Sequence, residues 1–103
     1  MRGEMKYIGF WEYEPEKIYN IFELGSKLEE EYGKDPASWE KKYGKFLGAY
    51  WLGMEPKGFG LFDFDVPEQM INVERAFWPY KKFKFVPIFE EDEVKKVYLE
   101  KRK

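Results

Sequence analysis

The sequence predicts an α+β domain with the element order β-α-(short α)-β-β-α-β. Three observations carry that reading. Four segments are rich in aromatic and β-branched residues. Two longer segments repeat apolar residues at helical spacing. Pro, Gly and Asp stand at the joins between them. At 103 residues, a single domain is expected, 1–103 with a core over 5–90, and no stretch is long and polar enough to split it.

The first strand is read at 5–13, an aromatic, β-prone run. Pro15 then suits a first helical turn, where its missing N–H would be unpaired anyway. Ile18, Ile21, Phe22, Leu24, Leu28 and Tyr32 recur with a helical period, and Gly33 offers a C-terminal cap, so helix one is placed at 16–32. Asp35-Pro36 repeats the start signal and Gly44 the stop, which predicts a short helical insert over 35–44. Strand two follows at 46–54, a turn at 55–58 and strand three at 59–64.

Asp65-Val66-Pro67-Glu68 has the spacing of a capping box. Met70, Val73, Phe77 and Tyr80 form the inner stripe of helix two, which Pro79 should end. Strand four is read at 83–89, with Pro87 marking it as an edge or bulged strand. The charged tail, 91–103, carries Val94, Val97 and Tyr98 at helical spacing, which fits a short amphipathic helix or a frayed end. This order is the split βαβ, ferredoxin-like arrangement: a four-stranded antiparallel sheet with helices on one face.

Composition removes whole classes of chemistry. At 44% hydrophobic and 21% aromatic, the chain has enough apolar mass for a core, which argues against disorder. It has no cysteine and no histidine, so thiolate and imidazole chemistry are excluded, no transition-metal site is expected and no cofactor is called for. Eighteen basic and twenty acidic residues give a net charge of −2, intermixed along the chain, where a nucleic-acid or anionic-membrane binder would be basic. Many Glu and Lys with few Asn, Gln and Thr fit a heat-adapted protein. The start, Met1-Arg2-Gly3-Glu4, lacks a long apolar region, and no stretch approaches the ~20 apolar residues of a membrane span. A cytoplasmic protein is expected.

Alternation along the strands separates two sheet faces. Tyr7, Gly9, Trp11 and Tyr13 oppose Ile8 and Phe10; Gly60, Phe62 and Phe64 oppose Phe59, Leu61 and Asp63; Phe83, Phe85 and Phe89 oppose Val86 and Ile88. Both faces are apolar, and helices can cover only one. The uncovered face predicts a homodimer through the sheet.

The element order, together with Lys57-Gly58-Phe59, Asp65-Val66-Pro67-Glu68 and the string from Phe83 to Phe89, resembles the dimeric α/β barrel superfamily. Within it the pattern is similar to a small family of uncharacterised prokaryotic domains of unknown function. The resemblance covers roughly residues 5–90 and omits the insert and the tail. It implies a dimeric barrel with a pocket, in a superfamily that spans cofactor-free and haem-degrading monooxygenases, isomerases, decarboxylases and ligand-binding modules. This chain lacks the histidines and the Asn/Arg/Ser clusters that several enzymatic members use.

Several residues are candidates for chemistry. Lys57 to Phe64 resembles the RNA-binding strand K/R-G-F/Y-G/A-F-V-x-F/Y, with Leu61 at the stacking position and Tyr7 as a substitute ring. The acidic balance and Asp63 on that face argue against it. Glu12, Asp63 and Glu90, near strand ends, are the carboxylates placed for acid–base work, while Glu29 to Glu31 and Glu91 to Glu93 read as solvated runs. Arg75 offers an anion clamp or a surface ion pair. Trp11, Trp39, Trp51 and Trp78, with Tyr7, Tyr50 and Tyr80, are candidates for an aromatic pocket or for packing. The expected ligand site lies between the sheet and the helix-side loops, near Trp11, Trp51, Asp63 and Arg75. The expected function is homodimeric small-molecule binding; the alternatives are a cofactor-independent oxygenase or isomerase on an aromatic or carbonyl substrate, and an RNA-binding module.

Overall fold

A computed structural model describes residues 5–101. The readings of 1–4 and 102–103, Arg2 and Arg102 among them, lie outside the described residues. Strands β1 (Met5–Tyr13), β2 (Lys45–Trp51), β3 (Lys57–Phe64) and β4 (Lys81–Pro87) form one antiparallel sheet in the order β2-β3-β1-β4. A 3-10 turn at Pro15–Lys17 leads into α1 (Ile18–Lys34), followed by α2 (Pro36–Tyr43). Helix α3 (Pro67–Phe77) joins β3 to β4, and α4 (Glu91–Lys101) follows β4. The architecture is α+β and compatible with the split βαβ arrangement.

Local chemistry explains the joins. Asp35 caps α2, its Oδ1 accepting from the Ser38 N–H at 3.2 Å, and Pro36 fills the first turn. Gly44 ends α2 with φ +79°, where a Cβ would collide with the Asp63 carbonyl and the Phe64 ring. Helix α1 passes through Gly33 and ends at Lys34, two residues beyond the expected stop, because the Asp35 N–H still reaches the Glu31 carbonyl at 3.2 Å. Pro87 lies at the end of edge strand β4, where its missing donor costs no ladder bond. Strand four therefore stops at Pro87, short of Ile88 and Phe89, and begins at Lys81.

The expected capping box is corrected by one residue. The side chain that reaches back is that of Gln69, whose Oε1 accepts from the Asp65 N–H at 2.7 Å and the Val66 N–H at 3.4 Å. Its Nε2 donates to the Glu40 and Lys41 carbonyls, both at 3.2 Å. Gln69 is buried at 5% exposure, so one amide ties the start of α3 to the last turn of α2. Asn72 adds a bond from Nδ2 to the Lys42 carbonyl at 2.9 Å.

The core lies beneath this joint. Tyr43, Phe62, Phe64 and Val73 are buried, with Tyr7, Met70, Phe83 and Phe85 packed against them. Each such side chain is worth ~1.5–3 kcal/mol on burial. The inward rings lie over glycines: a Cβ on Gly9 would meet Phe85 and Phe62, and one on Gly60 would meet Phe62 and Phe46. Tyr7 is thus on the helix side, 5.5 Å from Phe64, and does not supply a ring to the open face. Helix α4 is exposed throughout 91–100 and projects from the body, whose longest extent is 54 Å.

Replacing Gln69 by Ala should cost ~2–4 kcal/mol, because it strands two N–H donors and frees two carbonyls in a closed joint. Urea denaturation measures this. A loss below ~0.5 kcal/mol, the range of an ordinary surface change, would show that the amide does not hold the helices.

Candidate functional site

The helix side of the sheet is only partly filled. Helix α1 leans on α2, on the 3-10 turn and on α3, and touches the sheet through Phe22, whose ring lies 6.2 Å from Trp51 of β2. Between them lies a cavity of about 900 Å³. Its floor is the aromatic surface around Trp11, Trp51 and Phe62, and its roof is the inner stripe of α1. That stripe presents Gly25, where an added Cβ would meet nothing within 4 Å. Phe22, Phe46, Leu47 and Trp51, each 41–52% exposed, mark the mouth between α1 and edge strand β2. A β-bulge at Leu47 brings two successive β2 residues to that rim.

Trp11 and Trp51 meet edge to face at 4.9 Å. They do so across Gly58, the register partner of both, where a Cβ would strike the Trp11 ring and the Tyr50 carbonyl. Tyr13 stacks on Trp11 at 6.0 Å, and Trp39 packs against Tyr32 and Tyr43 at 5.4 and 4.8 Å. Burial pushes the Tyr13 phenol above its usual range. Trp39 Nε1 is a buried donor with no acceptor among the described residues.

At the far side of the cavity from β2 stands Lys81. Its Nζ lies 4.3 Å from the Trp11 ring centre, 4.5 Å from Phe77 and 5.3 Å from Phe83. No carboxylate or hydrogen-bond acceptor among the described residues pairs with it. Desolvation lowers its pKa from 10.5 to about 8. Aromatic faces compensate a buried ammonium only in part, since cation–π contact is worth ~2 kcal/mol in a dry site.

The four site residues expected from sequence are not one cluster. Trp11 and Trp51 line the cavity; Asp63 and Arg75 do not. Asp63 faces away on β3, opposite Lys6 and Lys45 in the ladders, beside a smaller hollow of about 240 Å³, with a buried Oδ1 that finds no hydrogen-bond partner among the described residues. Arg75 is exposed on α3. The sequence reading overlooked Lys81 although its signal was present. In Lys81-Lys82-Phe83-Lys84-Phe85, alternation puts Lys81 on the face of the two phenylalanines and the other lysines outside.

Among the described residues no group of acidic side chains gathers in a way that could hold a metal ion, and no helix is long and apolar enough to cross a membrane. No family model matches the chain, and neither a curated protein nor a solved structure matches it.

Lys81→Met should stabilise the protein at pH 7 by ~1–3 kcal/mol, by removing an unpaired charge from an apolar site. Folded Lys81 holds its proton less tightly than the unfolded chain does. Its charge therefore disfavours folding fully below pH 8, and that penalty fades as pH rises toward 10.5. The stability gap between the two proteins should close across this window in pH-dependent denaturation. A constant gap would place Lys81 in water.

Proposed function

We propose that this chain is a small-molecule-binding domain whose ligand occupies the cavity between α1 and the sheet, and that it works as a homodimer through the opposite face. The observation that carries the reading is the aromatic cavity with an unpaired amine at its inner end. About 900 Å³ is the size of a drug-like ligand site, and such sites are apolar with a few polar anchors. Here the walls are Trp, Phe and Tyr rings, and the polar anchor is Lys81 Nζ. They favour a flat, largely apolar molecule that carries hydrogen-bond acceptors. Neither Asp63 nor Arg75 is needed for it.

The dimer rests on the other face. Phe10 and Tyr50 are 43% and 52% exposed there, each ring packed against Phe59 at 6.4 and 5.2 Å, with Ile8, Leu61 and Val86 completing the patch. A second copy of the sheet, as in a dimeric α/β barrel, would bury this patch and leave the cavity free. The exposed Val94, Val97 and Leu99 of α4 offer the second copy further apolar surface.

Two measurements test these readings separately. Aromatic acids and quinones should change Trp emission and raise the melting temperature; Trp51→Ala should weaken binding by ~1 kcal/mol or more, and Gly25→Phe should abolish it by filling the space under α1. A panel without effect on the wild type, or equal affinity in both variants, would overturn the cavity reading. Light scattering should show a dimer at micromolar concentration, shifted toward monomer by Leu61→Lys; a wild-type monomer would overturn the dimer.

A further inference from the structure

We infer that Lys81 is a nucleophilic amine that condenses reversibly with an aromatic aldehyde or ketone held in the cavity. The inference rests on the cavity reading and adds the chemical class of the ligand. Three features of the site converge on it. The amine faces a space large enough for a second reactant. The rings of Trp11, Phe77 and Phe83 lie within 5.3 Å of its Nζ and desolvate it in part, and no carboxylate among the described residues holds the proton on it. The walls that would stack against an aromatic carbonyl compound are the same rings that position the amine.

The chemistry requires nothing beyond the two partners. The Nζ lone pair attacks the carbonyl carbon, a C–N bond forms, and the carbinolamine loses its oxygen. Both amine protons leave with that oxygen as water, and a C=N double bond remains. Only the neutral amine attacks. With a pKa near 8, ~10% of Lys81 is neutral at pH 7, against ~0.03% for an ordinary lysine. Titratable groups around the amine are Tyr13 beside it on β1, Glu29 and Tyr32 on α1, Glu40 and Tyr43 on α2, Lys45 on β2, and Lys17 over Tyr80. None of the carboxylates is paired with Nζ, so the amine's own titration should govern the rate.

The test uses the full chain with 2-naphthaldehyde and cyanoborohydride, which reduces the imine to a stable adduct, followed by peptide mapping. Of the fifteen lysines, Lys81 should be labelled at pH 7 at least about tenfold faster than its exposed neighbour Lys82. Lys81→Arg and Lys81→Met should lose that adduct yet still show the fluorescence change produced by 2-methylnaphthalene, which has no carbonyl. Even labelling of Lys81 and Lys82, with 2-methylnaphthalene still bound, would overturn the imine and leave the cavity reading standing. Tight binding of 2-naphthoate without any aldehyde adduct would make Lys81 an anion partner and overturn it too. Failure of all three naphthalene compounds to bind would overturn both.

Discussion

The structure depends on how large rings are accommodated on the inner face of a narrow sheet. Phe62, Phe85 and Trp11 lie over strand glycines, Gly9, Gly58 and Gly60, where an added Cβ would meet their rings. Over β3 and β4 these rings meet α2 and α3 and make the core. Under α1 the same layer floors the cavity, where Gly25 leaves room and Phe22 reaches Trp51. One layer of rings therefore serves both the core and the floor of the cavity. Gln69 joins the two helices beside it: two of its four hydrogen bonds cap α3 and two reach the last turn of α2, which follows α1 directly.

The placement of Lys81 follows from the same face. On β4 it shares the inward side with Phe83 and Phe85, and the Trp11 ring receives its ammonium. A lysine so placed is either a structural burden or a reserved group. An apolar side chain there would stabilise the fold at neutral pH, and the space above Nζ gives the amine something to act on. The sheet's other face has a different character: an apolar patch flanked by Lys6, Glu12, Lys82 and Lys84. The two faces thus differ: one carries the cavity and the other the apolar patch on which the proposed dimer rests.

Much of the fold was legible in the sequence because its punctuation is local. Asp35-Pro36 and Gly44 bracket α2 to the residue, and β1 keeps its expected bounds, since caps and strand alternation need no distant partner. The errors arose where a distant contact decides. Gly33 was a plausible stop, yet α1 continues until Asp35 is taken up by α2. Glu68 had the capping spacing, but Gln69 acts because its amide also reaches the end of α2. The site was half legible. The tryptophans stood out by type, while Lys81 is one lysine among fifteen and only its register beside Trp11 and Phe77 distinguishes it. Asp63 and Arg75 were chosen for charge, and the sheet sends the one outward and α3 exposes the other.

The unpaired amine in an aromatic cavity is the point on which the account turns, and NMR titration of lysine labelled at Cε and Nζ reads it directly. One lysine should show side-chain protons displaced by the ring currents of Trp11, Phe77 and Phe83 and titrate near pH 8, while its solvated counterparts titrate near 10.5. That signal should vanish in Lys81→Arg. If every lysine titrates near 10.5 with unshifted protons, Lys81 lies in water and the cavity has no reactive anchor.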